Sequence, residues 1–165
     1  SDLLVGAQDF AMMFTARMHP DLYFETLGEI PYRMVSTETD RLADVQPDRY
    51  ILTNFSPAFA EAHALLHPSL AGAWVSSGES TTIAGLLTSL GGAAYVIGEM
   101  ADEMVAAGSC LMVTDAPVIP QTVFAAVHLR NRHRPMHRRL LQLLRAQFGG
   151  RTINSRVRAT LVERA

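Results

Sequence analysis

Two short polar runs hold most of the chemistry this sequence offers. Asn54-Phe55-Ser56 stands directly before Pro57. Ser76-Ser77-Gly78-Glu79-Ser80 stands before apolar residues at helical spacing. Both runs place amide or hydroxyl side chains where a helix should start. At such starts the unpaired backbone N–H groups and the positive end of the helix dipole suit a carboxylate or similar anion. Glu79 opposes an anion and would accept an amino group instead. Helix capping alone accounts for Ser56, Ser77 and Ser80. A ligand is suggested by the grouping of Asn54, Phe55, Ser56, Ser76, Ser77, Gly78, Glu79 and Ser80 at two neighbouring helix starts, both expected at the carboxyl ends of strands.

Other chemistries find less support. The sequence has no glycine-rich phosphate loop and no nucleophile elbow. His63 and His67 have the i, i+4 spacing of zinc-binding helices, but no glutamate lies between them and His67 abuts Pro68. His133 and His137 share that spacing across Pro135, amid arginines, and read as a solvated basic face. Cys110 falls in an apolar stretch and reads as a small core residue. No catalytic residue, metal site or cofactor is therefore expected.

The elements that would position the two runs alternate. Leu3-Leu4-Val5-Gly6 reads as a buried strand. Tyr32 to Thr37 forms a second after Pro31, and Asp40 to Asp48 is a polar connection. Tyr50-Ile51-Leu52-Thr53 is a strand. Ser56-Pro57 then opens a helix carrying Phe59, Ala62 and Leu66 on one face, ended by His67-Pro68. Ala73-Trp74-Val75 is the next strand. The helix after it places Ile83, Leu86, Leu87 and Leu90 together and stops at Gly91-Gly92. Ala93 to Ile97 is a strand, Met100 to Val105 a short helix stopped by Gly108, and Cys110 to Val113 a strand. Pro117 and Pro120 mark a second connection. Thr122 to Leu129 is a strand, and Pro135 opens a helix with a stripe of Met136, Leu140, Leu143, Leu144 and Phe148. This alternation predicts an α/β fold with helix-covered parallel sheets. The two proline-marked connections suggest a chain that leaves one lobe, builds a second and returns.

Bulk properties agree with a folded domain. The chain has 165 residues, 48% hydrophobic and 18% charged, which excludes a disordered polymer. No apolar run reaches membrane-spanning length and no secretory leader is legible, so no membrane contact is expected. A single cysteine permits no intrachain disulfide and fits a cytoplasmic setting. Charge is uneven: residues 1–129 hold 15 acids and 4 arginines, residues 130–165 hold 10 arginines and 1 glutamate. The basic end reads as a solvated face that pairs with the acidic body.

The run Leu86-Leu87-Thr88-Ser89-Leu90-Gly91-Gly92-Ala93-Ala94-Tyr95-Val96-Ile97, with its following helix to Gly108, resembles the C-terminal effector-binding domain of LysR-type transcriptional regulators. The segment Pro120 to His128, the basic Arg130 to Arg134 and an amphipathic last helix follow in the family's order. Asp2-Leu3-Leu4-Val5-Gly6 looks like a strand late in the family's first lobe. Asn54-Phe55-Ser56-Pro57-Ala58-Phe59 with His63 is similar to an Asp-Trp-Gly-x-x-Phe segment with a following histidine in one subgroup. Asn54 and Phe55 depart from that Asp and Trp, and Ile97 stands where many members have proline.

The resemblance covers most of residues 2–148. It implies two Rossmann-like lobes of the periplasmic-binding-protein type II class, the first incomplete. Residues 1–49 and 120–150 would be the partial first lobe, residues 50–119 the second, and residues 151–165 a tail. It implies a small-molecule effector held between the lobes, homo-oligomer assembly, and DNA contact only through an N-terminal domain not in this sequence. Two rival readings stand beside it. One is a small α/β enzyme with an unrecognised active site. The other is an interaction domain that uses the basic C-terminal helix.

Overall fold

The computed structural model describes residues 10–13, 19–71, 75–77 and 80–149. The expected strand at Leu3 to Gly6 and the tail at 151–165 lie outside them. The chain forms two compact units, one of residues 1–30 and 122–165, the other of residues 31–121. Residues 31–49 thus group with 50–121, where the sequence reading had placed them with the first lobe.

The discontinuous unit contains β1 (Phe10–Met13), the start of β2 (Leu22–Ser36), most of β7 (Ile119–His128) and α4 (Pro135–Gly149). β1 runs antiparallel to β7, with Phe10 opposite Val127 and Met13 opposite Phe124. β7 in turn neighbours β2. Val123, Ala125, Ala126 and Val127 are buried. Helix α4 turns Leu141 inward, and Phe148 lies over Gly28, where a β-carbon would meet that of Phe148 at 2.5 Å. The apolar stripe read from the sequence is displaced, because Met136, Leu140 and Leu143 are exposed. Leucines at 140, 141, 143 and 144 fit two adjacent faces equally well.

The continuous unit is built on a parallel set of strands. β3 (Ile51–Thr53) pairs parallel with β4 (Val75–Ser77), and a parallel bridge joins Tyr50 to Ala93 at the start of β5 (Ala93–Ile97). The second half of β2 runs antiparallel to β5, with Tyr32 opposite Ile97 and Ser36 opposite Ala93. It also pairs with β6 (Leu111–Met112), which is shorter than the strand expected at Cys110 to Val113. β2 is longer than expected: it starts at Leu22 and continues through Pro31, which lies one residue beyond the stretch paired with β5 and so costs that ladder no N–H.

Among the described residues, three α-helices complete this unit: α1 (Pro57–Leu66), α2 (Ser80–Leu90) and α3 (Gly98–Ala106). Ile83 and Leu87 of α2 are fully buried. Gly91 ends α2 at φ +71°, and its N–H bonds to the Leu87 carbonyl at 2.9 Å. Gly92 follows at φ +109°, so close to Arg49 that a β-carbon would sit 2.3 Å from its carbonyl oxygen. Arg49 then closes the helix end. Its guanidinium donates to the Leu90 carbonyl at 3.0 Å and pairs with Glu38, the favourable charge for a helix C-terminus. The core is an aromatic stack: Tyr32 lies on Phe55 at 4.3 Å between centroids, and Phe59 meets both Phe55 and Tyr95 edge-on.

Candidate functional site

Strands β3 and β4 end side by side, with Thr53 opposite Ser77 in the parallel register. Parallel neighbours deliver both chain ends to the same edge, so the two polar runs singled out in the sequence leave the sheet together. One enters α1 at Pro57 and the other enters α2 at Ser80. Gly78 and Glu79 lie outside the described residues. For Ser76, Ser77 and Ser80 only the backbone course is described.

The first run divides its labour. Asn54 is exposed. Phe55 is buried, with its ring stacked on Tyr32. Ser56 is also buried and serves twice. Its Oγ accepts from the Phe59 N–H at 3.1 Å, the helix cap expected from Ser-Pro, and it donates to Gln121 Oε1. Phe55 and Ser56 therefore fix the turn that presents Asn54. Gln121 is buried and was not foreseen as a partner; it lies 65 residues away in sequence, beyond any local pattern.

Thr53 is a second residue that the sequence reading passed over. It is 1% exposed, and its Oγ1 has no hydrogen-bond partner among the described residues. A buried hydroxyl left unpaired costs roughly 1–3 kcal/mol. Its position at the last residue of the Tyr-Ile-Leu-Thr run gave only a strand reading. A cavity of about 230 Å³ adjoins it, lined also by Asn54, Ala60, His63 and Ala71.

The histidine pair is structural. His63 and His67 are buried on the inner face of α1 and at its end. The Tyr50 hydroxyl lies 2.5 Å from His63 Nε2, and the Tyr95 hydroxyl lies 2.7 Å from His67 Nε2. Tyr95 donates its proton to the Pro117 carbonyl at 2.8 Å, so His67 Nε2 carries a proton and is the donor to Tyr95. Burial, and then the neighbouring His67, hold the His63 ring down to about 4; burial also lowers His67. Both rings are neutral at pH 7. No group of three or more metal-ligating side chains occurs among the described residues. Cys110 is buried and its thiol is pushed up by burial, away from the thiolate a nucleophile needs. No helix among the described residues is long and apolar enough to cross a membrane.

No family model and no curated protein matches the sequence. Solved structures do match the fold. The regulatory domain of MetR, a LysR family regulator from N. meningitidis, superposes with a TM-score of 0.58 at 17% identity, over 90% of this chain and 77% of that one. An OxyR mutant from Porphyromonas gingivalis gives 0.64 at 19% identity, over 88% and 73%. Full-length LysG from Corynebacterium glutamicum, solved with bound effector Arg, gives 0.59 at 15% identity, over 89% of this chain and 53% of that one. The two compact units, the parallel strands with their helices and these superpositions together give the chain the periplasmic-binding-protein-like α/β fold of the regulatory domains of LysR-family regulators.

Proposed function

We propose that this chain is the effector-sensing regulatory domain of a LysR-type transcriptional regulator. On this reading it takes a small polar metabolite, a carboxylate or an amino acid, at the carboxyl ends of β3 and β4. The observation that carries the reading is the pairing of Thr53 with Ser77, which sends two polar runs to the same sheet edge and into two helix starts. Helix N-termini there offer backbone N–H groups to a carboxylate. Asn54, Ser76, Ser77, Gly78, Glu79 and Ser80 are the groups proposed to meet the metabolite, with Phe55 and Ser56 setting the turn beneath them. LysG, which shares the fold, was solved with an amino-acid effector.

Binding would act on DNA through a separate N-terminal domain, in a cytoplasmic homo-oligomer, by favouring one arrangement of the regulator over another. The test is thermal stabilisation of this chain by a panel of amino acids and small carboxylates. At least one should raise the melting temperature saturably and be recovered unchanged, and the rise should shrink in Asn54→Ala and Ser77→Ala. Chemical conversion of the ligand, or a rise indifferent to both substitutions, would overturn the reading.

A further inference from the structure

The unit of residues 1–30 and 122–165 contains a second cavity that shares no residue with the site above. It measures about 350 Å³ and lies between the start of β2 and helix α4. Arg132, Arg138, Arg145 and His133 line it, against a single carboxylate, Glu25. The frame is assembled. Arg132 stacks its guanidinium 4.7 Å from the centre of the Tyr23 ring. The Tyr23 hydroxyl donates to Glu25 Oε1 at 2.7 Å, and Glu25 Oε2 receives Arg145 at 2.8 Å. Arg145 also donates to the Thr26 carbonyl at 3.2 Å.

These contacts spend the charge unevenly. Glu25 neutralises Arg145, while the Tyr23 face holds Arg132 in place without neutralising it. Arg138 has no acidic partner among the described residues. The cavity therefore keeps about two positive charges, with one guanidinium already oriented and another at liberty. Planar guanidinium forks match the oxygens of a phosphate in bidentate fashion. The volume falls in the range of small-molecule pockets, roughly 300–1,000 Å³. It is a recess sized for a metabolite, where a polymer backbone needs an extended track.

We propose that the cavity between β2 and α4 binds a small molecule bearing a phosphate group, gripped by Arg132 and Arg138 and backed by the Tyr23–Glu25–Arg145 chain. Calorimetric titration of the full chain with pyrophosphate, at constant ionic strength set with chloride, tests this. Saturable one-site binding is expected. Arg138→Gln, on an exposed side chain that supports no packing, should weaken it at least tenfold. Arg138→Lys should recover only part of the loss, because an ammonium cannot make the bidentate contact. Absence of saturation, or equal affinity in Arg138→Gln, would overturn the proposal. So would binding of random-sequence duplex DNA that Arg138→Gln weakens and that pyrophosphate competes no better than chloride, since the arginines would then be a polyanion surface.

Discussion

The Tyr50 hydroxyl and His63 Nε2 share a buried hydrogen bond of 2.5 Å between the strand edge and helix α1. A proton added to His63 would place a charge on a largely buried ring, and the neighbouring His67 adds repulsion. The unfolded chain takes that proton near the ordinary histidine value of about 6.5, whereas the folded chain resists it until about 4. The stabilisation is fully present above the unfolded value and is lost as pH falls through this window. Stability should drop by on the order of 3 kcal/mol across it. Urea unfolding at several pH values checks this. His63→Gln should flatten the slope, and an unchanged slope would show that acid lability resides elsewhere.

Ser56 serves both as a cap and as the partner of Gln121. Ser56→Ala removes both contacts and leaves a buried amide oxygen unsatisfied. A loss of roughly 1–3 kcal/mol is expected in chemical denaturation. The same substitution in a Gln121→Leu background should cost less, because the amide is no longer there to be stranded. Equal costs in the two backgrounds would deny the coupling.

Gly92 and Gly85 should respond oppositely to alanine. At Gly92 the left-handed backbone and the Arg49 carbonyl both exclude a methyl group, and Gly92→Ala should cost roughly 2 kcal/mol or more. Gly85 lies exposed inside α2 with nothing near its missing β-carbon. Gly85→Ala should stabilise by roughly 0.5–1 kcal/mol through the unfolded chain and helix propensity. Melting temperatures of the two variants decide it.

On the proposed reading, Glu79→Gln gives the sign of the metabolite's charge. Tighter binding means that the ligand is anionic and the glutamate opposed it; weaker binding means that the glutamate holds an amino group. Ser77→Ala should weaken binding about two- to tenfold, the worth of one hydrogen bond at roughly 0.5–1.5 kcal/mol. Titration of whichever metabolite stabilises the chain reads both, and indifference to both would remove this edge of the sheet from the binding site.

Local chemistry in the sequence located the elements that begin and end on strong punctuation. Ser56-Pro57, Gly91-Gly92 and Gly108 each mark an observed helix boundary. The apolar run at 93–97 is a strand buried on both faces. Elements without such marks were misread. Pro31 looked like a strand start, yet β2 passes through it, because Pro31 lies just beyond Tyr32, where the pairing with β5 ends. The antiparallel course of β2 beside β5 was also hidden, since βα alternation speaks only for the parallel strands. At the candidate site, Asn54 and the serine run were legible as residue types. The Ser56–Gln121 bond and the orphaned Thr53 hydroxyl were not, because both depend on what the fold brings near.

One unit is a continuous stretch of chain and the other is made of two separated stretches. That difference sets an order during synthesis. Every residue of the 31–121 unit leaves the ribosome before the end of β7 does, so its strands and helices can close on one another first. The other unit must wait: β1 has its partner only when residues 124–127 emerge, and α4 comes later still. At roughly 5–20 residues per second, the early segments spend several seconds as unpaired strand edges. Unpaired strand edges are the segments that invite aggregation, and chaperones that bind nascent extended segments should be found on the N-terminal stretch of the discontinuous unit rather than on residues 31–121.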